Sequence, residues 1–418
     1  MSDTKLLVLG SLTEFTELVR KAESRGIKTV VVDANPGTDA KKYASRSYDA
    51  DIRDTETVAS IAKQEGVTAI TTSFSDLLLE EAVKIADRAG LPYHLKPEQI
   101  PFYRDKGVMK RTLQSLGLSS PDGCVLHEPF DENELAGLHF PLVIKPLDLY
   151  GSRGICIAKT AEDARIHFQK MTQLYPDMHA MLAEEYQSGN EYNVQCWVRN
   201  GIVHVLGICD REKTEFIPGT IPFSTRNVYP SRSVETILDP ARELLQKYIG
   251  ATGQKDGPLC MQCFADTVNG VCVNEIAARF LGYEHELLED ACHVSLEDLL
   301  IAAAEGNDPE VDKILEECRP LGDGYAAVLY FWAKEGRLAD LGVAKELCSH
   351  PQVRLSELFY REGETVGPVG ERPYFARYHI AAESRAELEQ LTAELTGRMS
   401  AKDDQGDEMI YKTEEVSD

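Results

Sequence analysis

Phe140-Pro-Leu-Val-Ile-Lys-Pro146 runs into Leu147-Asp-Leu-Tyr-Gly-Ser-Arg-Gly154 and then Ile155-Cys-Ile-Ala. An apolar strand ends in a lysine, a Gly/Ser-containing loop turns the chain back, and a second strand returns. Glycine lets backbone N–H groups in such a loop approach phosphate oxygens closely, and Lys145 adds a point charge. The same residues suit a surface hairpin with a solvated lysine, so the neighbouring segments must decide. Met181-Leu-Ala-Glu-Glu-Tyr-Gln-Ser-Gly-Asn-Glu191 follows, with Glu184 and Glu191 straddling a strand end and a glycine turn. Glu191 can accept hydrogen bonds from ribose hydroxyls, and the backbone at Glu185–Tyr186 can read an adenine edge. The alternative there is a solvated run of charge.

A third element lies around Asn269-Gly270, between the alternating runs 259–268 and 271–276. Asn-Gly at that place predicts a type I′ hairpin, as does Asn200-Gly201 earlier. In a two-residue turn Phe264 faces Glu275 and Gln262 faces Ala277, which makes Gln262 and Glu275 a diagonal pair on one face. The two side chains can then converge on one hard cation, and Arg279 continues the face by period two. A carboxylate among apolar neighbours is costly unless paired or metal-bound. A half-exposed edge with ordinary polar alternation is the competing reading.

Outside these elements the chain alternates strand and helix from Lys5 to Gly90, which implies βαβ units around a parallel sheet. Gly10-Ser-Leu-Thr-Glu-Phe15 is not G-x-G-x-x-G, so a dinucleotide turn is not expected. The pattern breaks at Pro92–Pro101; a helix over Arg104–Leu116 follows, and Thr160-Ala-Glu-Asp163 caps another. We expect an N-terminal Rossmann-like domain at 1–95 and a central domain at 96–310, with a lid at 121–183. An α+β region at 311–400 and an acidic, disordered tail at 401–418 complete the chain.

The chain has 418 residues, 43% hydrophobic and 27% charged, with a formal net charge of -25. That charge excludes a partner held through phosphate-backbone neutralisation, so no nucleic acid is expected. No run of about 18 apolar residues exists to span a membrane. The N-terminus lacks the basic start and long apolar stretch of a signal peptide, which predicts a cytoplasmic protein. Ten scattered cysteines read as reduced core thiols. Cys260 and Cys263 have zinc-like spacing, but residues three apart on a strand face opposite sides. No G-x-x-x-x-G-K-[ST] occurs, so nucleotide chemistry would need another phosphate device.

Lysine hairpin, then E-x₆-E, then a carboxylate hairpin ending in arginine: in this order the chain from about Arg104 to Leu300 resembles the ATP-grasp superfamily. The resemblance implies an α/β chain with an ATP-grasp fold, an N-terminal Rossmann-like pre-ATP-grasp domain and a C-terminal α+β region. It implies nucleotide binding by Lys106, Lys145, the loop residues Gly151, Ser152 and Gly154, the linker Glu184, Glu185 and Tyr186, and Glu191. It makes Glu275 the Mg²⁺-bridging carboxylate with Gln262 beside it, and Arg279 and Lys145 the catalytic cations. Many members have Glu or Asp at the position of Gln262 and Asn at that of Ala277; the latter change puts a second metal in question. Asn274-Glu-Ile-Ala-Ala-Arg-Phe-Leu-Gly282 is similar to the pattern of L-amino acid ligase-like members. Such a ligase would use ATP and Mg²⁺ (or Mn²⁺) to activate a small-molecule carboxylate as an acyl phosphate for attack by an amine. The Asp148–Gly154 loop would be its lid, Tyr229 and Ser231 would shape the substrate pocket, and a homodimer is possible. Two alternatives stay open: a carboxylase or phosphotransferase acting on bicarbonate or another small acceptor, and a non-catalytic ATP-binding sensor.

Overall fold

The computed structural model describes residues 4–147, 154–214, 222–266, 270–367 and 374–411. Strands β1 (Lys5–Leu9), β2 (Lys28–Asp33), β3 (Arg46–Asp49) and β4 (Ala69–Thr71) form a parallel sheet in the order β3-β2-β1-β4. Leu6 to Leu9 are all buried, as expected where helices cover both faces of a parallel sheet. The helix Thr55–Glu65 starts at Asp54, whose side chain accepts from the Thr57 N–H, and stops at Gly66 in the left-handed conformation.

Strands β5 (Gly123–His127), β6 (Leu142–Pro146), β7 (Cys156–Ala158) and β8 (Ala180–Glu185) form a separate antiparallel sheet in the order β5-β8-β6-β7. The capped helix Ala161–Leu174 packs Phe168 and Met171 against Leu126, Ile144 and Met181 to give this unit its own core. The expected lid thus has the architecture of a small independent layer.

The remaining strands build an eight-stranded antiparallel sheet, β13-β12-β9-β10-β11-β14-β18-β16. Its members are β9 (Glu191–Arg199), β10 (Ile202–Lys213), β11 (Ser224–Tyr229), β12 (Gly257–Asp266), β13 (Gly270–Ala277) and β14 (Tyr325–Phe331). β15 (Gly336–Arg337) and β17 (Thr365–Val366) form a separate two-stranded ribbon, and β16 (Val353–Leu358) and β18 (Ala376–Ala382) complete the eight. One face packs on the helix Val234–Thr252; the other meets the N-terminal domain and the helix Leu296–Ala304. No helix among the described residues is long and apolar enough to cross a membrane.

Two expectations are corrected. Ile202 pairs with Arg199, so Asn200-Gly201 is a two-residue turn, but Gly270 pairs with Asp266, so the two-residue register expected at Asn269-Gly270 does not form; Asn269 itself lies outside the described residues. Residues 401–411 are ordered rather than part of a disordered tail: Ala401, Met409 and Ile410 are buried, and Ile410 bridges to Ala333. Three apolar side chains suffice to hold that short segment, although it shows no period. All ten cysteines are free thiols.

Candidate functional site

Two lysine-bearing elements converge on the edge of the large sheet. The helix Lys106–Ser115 is capped by Asp105, which accepts from the Val108 N–H at 2.9 Å. Lys106 and Lys110, one helical turn apart, therefore point the same way. Lys145 reaches in from the end of β6. Its Nζ lies 2.5 Å from Glu184 Oε2 and 3.3 Å from Asn274 Oδ1, while Lys110 Nζ lies 2.7 Å from Glu184 Oε1. Lys106 Nζ stands 3.7 Å from Glu275 Oε1 and donates to the Leu147 carbonyl at 3.4 Å. Lys106, Lys110, Lys145, Glu184 and Asn274 line one crevice between the lid and the sheet. Burial raises the Glu184 carboxyl pKa, but the charges of Lys145 and Lys110 outweigh it and hold the group below its ordinary value.

The carboxylate hairpin differs from expectation in register. Gln262 pairs directly with Glu275, and a bulge opposite Gln262 and Cys263 takes up one extra residue of β13. Phe264 faces Cys272 and Cys260 faces Ala277, so the expected Phe264–Glu275 and Gln262–Ala277 pairs do not form. The bulge puts Asn274 and Glu275 within reach of two different lysines, which strict alternation would forbid. Cys263 belongs to the core under the sheet and Cys260 to the opposite face, as their spacing predicts.

Glu191 is buried, with its two oxygens on Arg211 and Lys213 of β10. Lys213 lies over the Phe264 ring at 5.8 Å, on the face that carries Gln262. Burial raises the pKa of Glu191, and Arg211 and then Lys213 bring it below the ordinary value. In the expected adenine linker the Glu185 and Tyr186 N–H groups already donate to the Asp122 and Pro141 carbonyls. The Glu185 carboxylate is held by His139. Recognition of a base by this segment would therefore fall to its carbonyls. Gly154 has φ +71°, and a Cβ there would meet Met171 and Pro146 at 2.4 and 2.9 Å. Gly151 and Ser152 lie outside the described residues.

Arg279 does not continue the face of Gln262 and Glu275. β13 ends at Ala277, and the guanidinium turns to Asp76 of the N-terminal domain, with Nε–Oδ1 at 2.6 Å and Nη2–Oδ2 at 2.8 Å. Nη1 donates to the Phe280 carbonyl. Tyr229 and Ser231 are fully buried, and their hydroxyls donate to Glu284 and Asp210, so neither lines an open pocket. Glu284 instead gathers four neutral donors, from Asn193, Cys209, Asn227 and Tyr229. Burial raises its pKa.

Sequence reasoning missed Lys110, Asp76, Asn274, Arg211 and Lys213. Helical spacing from Lys106 was a signal for Lys110. Nothing local announced the others, because a bulge, a cross-strand pair and a domain contact place them.

Comparison with known proteins bears on the fold and on the family of its central domain. The chain is 27% identical over 165 residues to the formate-dependent phosphoribosylglycinamide formyltransferase of Bacillus subtilis, covering 38% of this chain and 42% of that protein. It is 23% identical over 309 residues to the N5-carboxyaminoimidazole ribonucleotide synthase of Staphylococcus haemolyticus, covering 72% of this chain and 76% of that one. Its match to the C-terminal section of the carbamoyl phosphate synthase large chain of Methanopyrus kandleri spans 42% of that section. Less than half of the length of the formyltransferase and of that section is therefore matched. Among solved structures, the L-amino acid ligase of Bacillus licheniformis superposes with a TM-score of 0.79 at 18% identity, over 96% of this chain and 99% of that one. The biotin carboxylase domain of the Hydrogenobacter thermophilus 2-oxoglutarate carboxylase, in complex with MgADP, ADP and bicarbonate, gives 0.71 at 16%, over 97% and 91%. Residues 138–285, which hold Lys145, Glu184, Glu191, Gln262, Glu275 and Arg279, match the ATP-grasp domain family. The chain carries an ATP-grasp domain within the ATP-grasp fold.

Proposed function

We propose that this chain is an ADP-forming ligase that uses Mg-ATP to join a small carboxylate to an amine through an acyl phosphate. One observation carries the reading: Lys106 and Lys145, from the helix and the lid, meet Glu275 and Asn274 on the bulged hairpin across one crevice. Cations face oxygen donors there at 3.3 and 3.7 Å, so phosphates would enter by taking the place of these contacts as the lid moves away from the sheet.

Gln262 and Glu275 stand directly opposite each other and offer one neutral and one anionic oxygen donor. Mg²⁺ suits so small a donor set, because it keeps waters and shares its shell with substrate phosphates. When bound there it would neutralise charge on the transferring phosphoryl group. Among the described residues no group of three or more His, Cys, Asp or Glu side chains could hold a metal. Lys145 and Lys106 would orient the phosphates and stabilise charge on the equatorial oxygens. Arg279 joins them only if Asp76 gives up part of its hold. The lid, with its own core, would close over the intermediate and exclude water.

Hydroxylamine trapping tests the proposal. With ATP, Mg²⁺ and a panel of carboxylic acids, at least one acid should yield a hydroxamate in step with ADP. AMP with pyrophosphate would mean adenylation and end this reading; bicarbonate-dependent ADP release without hydroxamate would favour a carboxylase.

A further inference from the structure

The sheet face that carries Gln262 and Lys213 continues beyond the nucleotide crevice. Directly paired residues share a face, and the register runs Phe264, Glu191, Arg211, Asn227, Val328 and His379 from β12 to β18. Arg377, two residues from His379, lies on the same face between Tyr330 and Glu357. The segments that leave β1 and β4 cover this end. Thr13 donates to Glu357 at 2.8 Å, and Phe74 stacks on His285 at 4.1 Å. Open parallel sheets bind their ligands outside that carboxyl edge.

Four side chains here are left incomplete. Arg377 is 0% exposed; its Nε donates to Glu357 Oε2 at 2.9 Å and its guanidinium lies 4.4 Å from the Tyr283 ring centroid. Its Nη1 and Nη2 have no hydrogen-bond partner, nor have the two ring nitrogens of the buried His379, Nε2 of the buried His285 or Oε2 of Glu286. His379 Nδ1 and Glu286 Oε2 stand 3.8 Å apart, too far for a hydrogen bond. Buried polar groups are nearly always paired, so open valences of both signs at one place point to a missing partner. Phe74 and Tyr283 wall the cluster with φ of 68° and 62°, a conformation rare for aromatic residues. Strain of this kind collects at ligand clamps.

The open edge of Arg377 is a planar two-donor fork, which matches a carboxylate. In the same cluster Glu286 leaves Oε2 open, while its Oε1 lies 3.2 Å from His285 Nε2, so a complement that also carries an ammonium group would satisfy both open edges. We propose that the cluster holds the zwitterionic end of an amino-acid substrate, its α-carboxylate on Arg377 and its α-ammonium on Glu286. The purpose of the site rests on the ligase reading; its occupancy does not. With both α groups engaged, the reacting group sits on the side chain, so aspartate, glutamate and lysine are the expected class.

Calorimetric titration of the full chain without nucleotide tests this, with L-aspartate, L-glutamate and L-lysine as probes and N-acetyl-L-glutamate and glutamate α-amide as controls. At least one amino acid should bind, and a control lacking either α group should bind tenfold or more weakly. Arg377→Lys and Glu286→Gln should each weaken binding at least tenfold while changing the affinity for a fluorescent ATP analogue less than twofold. Absence of binding by all three amino acids overturns the proposal. So does unchanged affinity in both variants, including the case where Arg377→Lys lowers the thermal midpoint and the cluster is a structural ion network only. Arg377-dependent binding without hydroxamate from any acid would end the ligase reading and leave the site. Hydroxamate formation with KM unchanged for every substrate in both variants would do the reverse.

Discussion

Glu184 is shared by two ammonium groups, and removing it should harm the folded protein more than removing either lysine. Lys145 and Lys110 lie 2.5 and 2.7 Å from its two oxygens, and all three side chains are less than 10% exposed. At an effective dielectric constant of about 20 each attraction amounts to ~6 kcal/mol, and repulsion between the two ammonium groups at roughly 5 Å to ~3 kcal/mol, before desolvation is counted. Glu184→Gln loses both attractions and keeps the repulsion. Lys145→Met loses one attraction and relieves the repulsion, a net Coulomb change of ~3 kcal/mol. Desolvation offsets much of either figure, and removing one partner of a buried pair is expected to cost about 3–5 kcal/mol for Glu184→Gln. Lys145→Met should cost clearly less, although as a phosphate-facing cation it should lower turnover far more than it lowers stability.

Urea unfolding without nucleotide, read as the midpoint order of wild type, Lys145→Met and Glu184→Gln, tests the ranking. Glu184 has a depressed folded pKa, so its stabilisation is present above the unfolded carboxylate value near ~4.3 and is lost as pH falls through the folded value. The gap between wild type and Glu184→Gln should therefore be full at pH 7 and close on acidification. A Lys145→Met protein less stable than Glu184→Gln at pH 7, or a gap that widens in acid, would refute the shared-carboxylate argument.

Glu275→Gln should shift the Mg²⁺ requirement for ATP turnover to higher concentration by tenfold or more, and Gln262→Ala by much less, since only Glu275 carries charge; a Mg²⁺ titration with the opposite order removes the assignment. Asp76→Asn unpairs a buried guanidinium and should cost about 3–5 kcal/mol at the contact between the N-terminal domain and the sheet. Earlier proteolysis between the domains should report that loss. If Arg279 is a phosphate ligand held back by Asp76, ATP should protect this variant more than wild type, and equal protection would leave Arg279 a structural residue.

How far the sequence carried depended on the range of the interactions involved. Asn200-Gly201 specified its turn because both residues could take positive φ within a local two-residue loop. Asn269-Gly270 carried the same local signal, yet cross-strand packing chose another register and a bulge. Local propensity lost there to a sheet edge that places Asn274 and Glu275 against separate lysines. The lysine hairpin and the E-x₆-E segment were legible as strands and turns because Lys145, Glu184 and Glu191 each sit at or next to the end of a strand. The pairings of Arg279, Tyr229 and Ser231 were not legible for the complementary reason: their partners Asp76, Glu284 and Asp210 come from distant or unrelated segments, and no periodicity encodes a pairing of that kind.

Those pairings share a logic that bears on how a chain of net charge -25 could bind a polyanion. Lys145 and Lys110 hold Glu184, Lys106 faces Glu275, Arg211 and Lys213 hold Glu191, and Arg279 holds Asp76. Burying such cations unpaired would be prohibitive, whereas pairing them with carboxylates of the same chain keeps them charged and oriented without a ligand. Lys106, Lys110 and Lys145 with Glu184 and Glu275 carry one net positive charge, which in the proposed nucleotide site would be left for phosphate oxygens. Nucleotide binding would then be an exchange of carboxylate for phosphate at lysines already in place, and Mg²⁺ would relieve the repulsion between Glu275 and the incoming phosphates. On this argument free ATP should bind much more weakly than Mg-ATP, and Glu275→Gln should narrow that difference by favouring the free nucleotide. Equal affinity for the two forms in the wild-type protein would show that Glu275 does not face the phosphates.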